Sequence, residues 1–138
     1  MKFKQKLNLK LIGYLSTFEK VTRTNAVDFF ENKGQLIFLT EEGTIKKAVG
    51  KGGANIKRLS YMLKRTIKII ELSEDPNKFL LSLIYPIKPA TMEKTDTMIN
   101  VRLNSSDEKA RIIGRASSNL EFINSLLERH YGLKMRLV

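Results

Sequence analysis

Cysteine is absent from this chain. That excludes disulfides, thiolate-bound zinc and a cysteine nucleophile. Histidine occurs once, at His130, and a lone histidine near a helix end reads as structural or C-capping rather than as a general base. No apolar run approaches the roughly 20 residues that a membrane-spanning helix needs. None of signal-peptide length follows the stretch that carries Lys2, Lys4, Lys6 and Lys10. The expectation is a soluble cytoplasmic protein without a membrane partner. Negative charge is also scarce. Only 14 Asp and Glu stand against 25 Lys and Arg, for a formal charge of +11. Such an excess on a small chain favours a polyanionic partner.

What is present is enough to fold. Of the 138 residues, 42% are apolar, and the length suits one ordinary domain or two very small ones. Leu11, Leu15, Phe18 and Val21 recur at helical spacing and predict an amphipathic helix over residues 8–24. Residues 26–31 and 35–40 read as strands joined by an Asn32-Lys33-Gly34 turn. Ile45, Ala48 and Val49 form one apolar helical face, and Ile56, Leu59 and Leu63 form another. Between them lies Gly50-Lys51-Gly52-Gly53, which resists helix because each glycine costs roughly 1 kcal/mol against alanine. Ile67, Ile69 and Ile70 then read as a strand. Ser73-Glu74-Asp75-Pro76 looks like a boundary, with Asp75 as N-cap and Pro76 as first helical residue. A short helix carrying Phe79, Leu80 and Leu83 follows, then strands near residues 91–94 and 99–103, a helix capped by Ser105 or Ser106, and a last strand over residues 133–137.

The second half repeats the first. Ala48-Val49-Gly50-Lys51-Gly52-Gly53-Ala54-Asn55-Ile56 aligns with Ile112-Ile113-Gly114-Arg115-Ala116-Ser117-Ser118-Asn119-Leu120. Each copy has two strands before the loop and one after it. The expected architecture is α+β, with a first domain over residues 1–74 and a second over residues 75–138.

Helix, Gly-x-x-Gly loop and helix set between strands is the signature of a KH module, whose loop clamps the backbone of about four nucleotides. Glycines let phosphate approach the backbone amides, and the following helix turns its positive end toward that phosphate. Two rival glycine motifs fail. An NTPase loop needs Ser or Thr after Gly-Lys, whereas Gly52 follows Lys51. A dinucleotide fingerprint opens a helix directly after a strand, whereas these glycines follow a helix. The candidate RNA-contacting residues are Gly50, Lys51, Gly52, Gly53, Asn55, Lys57, Arg58, Gly114 and Arg115. Asn55 and Asn119 are also placed to cap or brace the loop backbone.

Residues 48–59, together with Glu71-Leu72-Ser73-Glu74-Asp75-Pro76, resemble the archaeal NusA-like transcription termination factors over nearly the whole chain. The resemblance implies two tandem KH domains of type II, the type with the extra helix and strand on the N-terminal side. It implies RNA binding linked to termination or antitermination, and an association with RNA polymerase or the elongation complex. It also implies that the polymerase-binding and S1 domains of the bacterial protein are missing. An alternative with the same module is a KH protein of ribosome assembly or the ribosome.

The second loop departs from the pattern. Ser117 replaces the closing glycine and carries a Cβ, so it is expected to depart from the glycine conformation. Charge departs as well. Residues 44–65 hold seven Lys or Arg and no carboxylate, whereas residues 107–132 hold four basic and four acidic residues. The first domain is therefore expected to dominate affinity. The pairs Glu41-Glu42, Glu74-Asp75 and Asp107-Glu108 read as caps rather than acid/base pairs, because adjacent residues do not face each other across a substrate. Tyr61 is placed at a helix edge, and no aromatic platform like that of an RRM is read. With no nucleophile–base set and no nucleotide loop, the reading is a monomeric binding protein without cofactor, metal or enzymatic activity.

Overall fold

Apolar periodicity becomes helix α1 at Leu9–Thr22, whose inward face buries Leu15 and Phe18. The computed structural model describes residues 9–138, so Lys2, Lys4, Lys6 and the predicted helix start at residue 8 lie outside the described residues. Strands β1 (Ala26–Asn32) and β2 (Gln35–Thr40) pair antiparallel across a two-residue turn. Lys33 and Gly34 both take positive φ there, as the tightest right-twisted hairpins demand. Helix α2 (Ile45–Val49), a 3-10 turn (Lys51–Gly53) and helix α3 (Ala54–Leu63) then carry the chain across to β3 (Thr66–Glu71). Strand β3 pairs parallel with β2, giving the order β1-β2-β3. A parallel partner requires such a crossover, and the crossover is where the glycine loop sits.

The unbroken apolar run Leu36-Ile37-Phe38-Leu39 is buried throughout, as a central strand should be. Phe18 stacks on Phe38 with ring centroids 4.3 Å apart, and Phe29, the cross-strand partner of Phe38, lies 5.0 Å from it. Ala48 and Leu59 join this cluster, so both helices that flank the glycine loop are anchored in the core.

The second half repeats the order: α4 (Pro76–Ile84), β4 (Thr91–Lys94), β5 (Met98–Arg102), α5 (Ser106–Ile113), a 3-10 turn (Arg115–Ser117), α6 (Ser118–Tyr131) and β6 (Lys134–Leu137). Its sheet runs β4-β5-β6, again antiparallel then parallel. Asp75 caps α4 by accepting from the Asn77 N–H at 2.9 Å, with Pro76 at the first helical position. Ser105 caps α5 by accepting from the Glu108 N–H, while Glu108 reaches back to the Asn104 N–H. Ile99, Val101, Ile112, Leu126 and Leu127 are buried within this half. The architecture is α+β with two three-stranded sheets, and the residues group into two compact units, Met1–Glu74 and Asp75–Val138. Among the described residues no helix is long and apolar enough to cross a membrane.

Candidate nucleic-acid interface

The end of α2 and the start of α3 hold the glycine loop from both sides. Gly50 has φ 80° and ψ 164°, a region that essentially only glycine occupies. Gly52 (φ 61°, ψ 23°) and Gly53 (φ 75°, ψ 19°) are left-handed. The turn closes through the Gly53 N–H on the Gly50 carbonyl at 3.1 Å and the Ala54 N–H on the Lys51 carbonyl. The amides of Lys51 and Gly52 find no backbone acceptor among the described residues. They sit just before the N-terminal end of α3, where the helix field favours an anion.

Gly50 and Asn55 form a lock. A Cβ on Gly50 would sit 2.9 Å from the Asn55 Cγ and 3.0 Å from its backbone nitrogen. The Asn55 side-chain amide donates to the Lys47 carbonyl at 3.1 Å, tying the last turn of α2 to the first turn of α3. The backbone is thus what the Asn55 amide serves. Nothing lies within 4 Å of a Cβ built on Gly52 or Gly53, so those two glycines serve conformation and clearance.

The second loop copies this geometry closely. Gly114 has φ 74° and ψ 175°, a Cβ there would lie 2.8 Å from the Asn119 Cγ, and the Asn119 amide donates to the Arg111 carbonyl at 3.0 Å. Ser117 corrects the expectation drawn from its Cβ. It takes the left-handed conformation, φ 63° and ψ 17°, as Gly53 does. The physical reason is that this region is costly for a side chain rather than closed to it, by about 1 kcal/mol. The same turn bond, Ser117 N–H to the Gly114 carbonyl at 3.2 Å, holds it there.

An apolar groove of about 390 Å³ opens beside the first loop, lined by Ile45, Lys46, Val49, Gly50 and Lys51. At the repeat-equivalent positions the second unit has Lys109 for Ile45 and Ile113 for Val49. Glu71, at the end of β3, accepts from the Gly43 N–H at 2.9 Å and the Ile45 N–H at 3.3 Å, which fixes the start of α2 and hence one wall of the groove. No local pattern announces Glu71, since its partners lie 26 and 28 residues away.

Lys46, Lys47, Lys51, Lys57, Arg58 and Lys64 are all exposed around the loop and along α3. Arg65 is the exception in this run, because its guanidinium is paired with Glu31. Lys51, Lys57 and Arg58 thus gather at the loop and the first turns of α3, while Gly114 and Arg115 belong to the second loop. Burial lowers the pKa of Lys68, but Lys68 is on β3 and not in the loop. His130 lies in the last turn of α6, with its ring 6.5 Å from that of Phe79, which suits a packing role. Among the described residues there is no cluster of His, Cys, Asp and Glu able to hold a metal ion.

No family model matches the chain. Curated relatives do. The chain is 32% identical to the probable transcription termination protein NusA of Methanococcus vannielii, over 94% of this chain and 76% of that protein. It is 28% identical to the protein of the same name from Methanocaldococcus jannaschii, over 92% of this chain and 71% of the relative. Among solved structures, the crystal structure of APE1850 superposes with a TM-score of 0.66 at 26% identity, covering 94% of this chain and all of the other. With that degree of identity spread over both units, the chain belongs to the family of archaeal proteins named probable transcription termination protein NusA.

Proposed function

We propose that the chain binds single-stranded RNA through two tandem KH domains of type II, residues 1–74 and 75–138, and that it acts in transcription termination or antitermination. The observation that carries this reading is the first glycine loop. Two unpartnered amides, a helix N-terminus and exposed cations meet there beside an apolar groove. Phosphate oxygens accept from the amides of Lys51 and Gly52, and the Lys51 ammonium adds charge from within the loop. The groove takes unstacked bases, which is how single strands expose sequence to a protein. The helix–strand–strand–helix–helix–strand order of each unit supports the type II assignment. The names of the relatives support a place in transcription termination; RNA polymerase or its elongation complex is the protein partner proposed with it. The protein works as a monomer and binds without catalysing a reaction.

Anisotropy of a labelled single-stranded RNA, titrated with wild type and with Lys51→Asp/Gly52→Asp at two salt concentrations, tests this. The expected result is a loss of at least about tenfold in the double variant, with folding unchanged by circular dichroism, and a shallower salt dependence. Unchanged affinity would make the loop a hinge and refute the reading. Co-purification tests the cellular role: polymerase and nascent RNA are expected, and ribosomal particles alone would contradict it.

A further inference from the structure

Helix α3 continues past the loop with a surface that the loop itself does not require. Tyr61 is 84% exposed, an unusual state for so large a ring in a small folded domain. Lys57 and Arg58 lie one turn before it on the same helix face, and Lys64 follows just beyond the helix end. Among the described residues none of these cations is held in an ion pair, and no cation sits over the Tyr61 ring. Both ring faces are therefore open. The ring lies roughly 10 Å along the helix axis from Ala54, where the loop ends, at about 1.5 Å per residue.

The second unit supplies an internal control. The positions equivalent to Lys57, Arg58, Tyr61 and Lys64 are Glu121, Phe122, Ser125 and Glu128. The helical backbone is shared as far as Ser125, after which α6 runs on to Tyr131 where α3 stops at Leu63; the cations and the exposed ring are gone, and Glu128 is itself paired with Lys134 at 3.1 Å. A helix surface needed only for folding has no reason to differ so consistently in sign.

We infer that the Lys57–Arg58–Tyr61 face of α3 is a second contact for the same RNA strand, with Tyr61 stacking on an unpaired base that lies beyond the nucleotides clamped by the loop. This rests on the RNA-binding reading above and extends it to one further nucleotide. Single strands are held elsewhere by the same pairing of elements, a cationic track for the phosphates and an aromatic ring for the bases. Charge alone would also suit an acidic protein. The open ring and the continuity of the cations with the loop favour the nucleic acid, which presents a flat apolar face at every phosphate step.

The test uses oligouridylates of about four and about ten nucleotides, the shorter one just filling a single loop site. Each is titrated by anisotropy with wild type, Tyr61→Ala, Tyr61→Phe and Lys51→Asp/Gly52→Asp. Tyr61→Ala is expected to weaken the longer RNA by roughly five- to a hundredfold and to leave the shorter one unchanged. Tyr61→Phe keeps the ring and should bind both as wild type does. The loop variant should lose both lengths. If Tyr61→Ala binds the longer RNA like wild type while the loop variant loses it, the inference fails, the loop reading stands, and the face is left for an acidic protein partner. If Tyr61→Ala weakens both lengths equally, the ring acts through the loop and the inference also fails. If the loop variant binds both lengths as wild type does, the loop reading and the inference fall together.

Discussion

From Gly50 to Asn55 and from Gly114 to Asn119 the chain builds one loop twice. In each copy the first glycine takes a backbone state closed to other residues, an asparagine five positions later packs over it, and that asparagine ties the end of one helix to the start of the next. Around this shared frame the chemistry diverges. The first loop is followed by Lys57, Arg58 and Tyr61, and the second by Glu121, Phe122 and Ser125. Backbone geometry is thus held by a few local contacts, while surface charge varies freely on top of it. The cradle alone does not decide which unit grips a polyanion. On the proposed reading, the field around it does.

The sharpest way to break the shared half of this comparison is to fill the first glycine. Gly50→Ala and Gly114→Ala each place a Cβ within 3.0 Å of an asparagine side chain and strain the backbone. Each is expected to lower stability by about 2 kcal/mol or more in urea unfolding, and only Gly50→Ala should also abolish RNA binding. A benign Gly114→Ala would show that the two loops are not built alike. Next in size are the braces. Asn55→Ala and Asn119→Ala each remove one side-chain bond to a carbonyl and should cost about 1 kcal/mol, with RNA affinity falling for Asn55→Ala alone. The charge half can be sharpened by transplant. Glu121→Lys/Ser125→Tyr should raise RNA affinity a few-fold and steepen the log–log salt dependence by about 0.7 for each further phosphate neutralised. An unchanged slope would separate the second loop from the binding surface. The smallest effect on stability is expected at the closing position, where Gly53→Ser and Ser117→Gly should each shift it by no more than about 1 kcal/mol in unfolding experiments.

Much of this is legible in the residues themselves. The apolar run Leu36-Ile37-Phe38-Leu39, the alternation around Ile99 and Val101, and the glycine break between two helical faces each carry a local signal, and all three form the expected elements. The α+β class and the family likeness follow from the same features. The Cβ of Ser117 misleads about its conformation, because the closing turn bond offsets a left-handed strain of only about 1 kcal/mol. Glu71 is invisible in the sequence, since a strand carboxylate that caps a distant helix is fixed only once the sheet has formed. For Tyr61 the sequence indicates a helix edge and no more. Periodicity says which face is apolar, but not that a ring between Arg58 and Lys64 stands almost wholly in solvent.

On the proposed reading the first unit holds the RNA, while the second keeps the same cradle with little grip. Following backbone amide shifts of the ¹⁵N-labelled chain during titration with single-stranded RNA tests it most directly. The amides of residues 50–58 are expected to move first and saturate at the lowest RNA concentration, with residues 114–122 following only at higher concentration. Simultaneous shifts in both loops, or shifts that begin at residues 114–122, would contradict it.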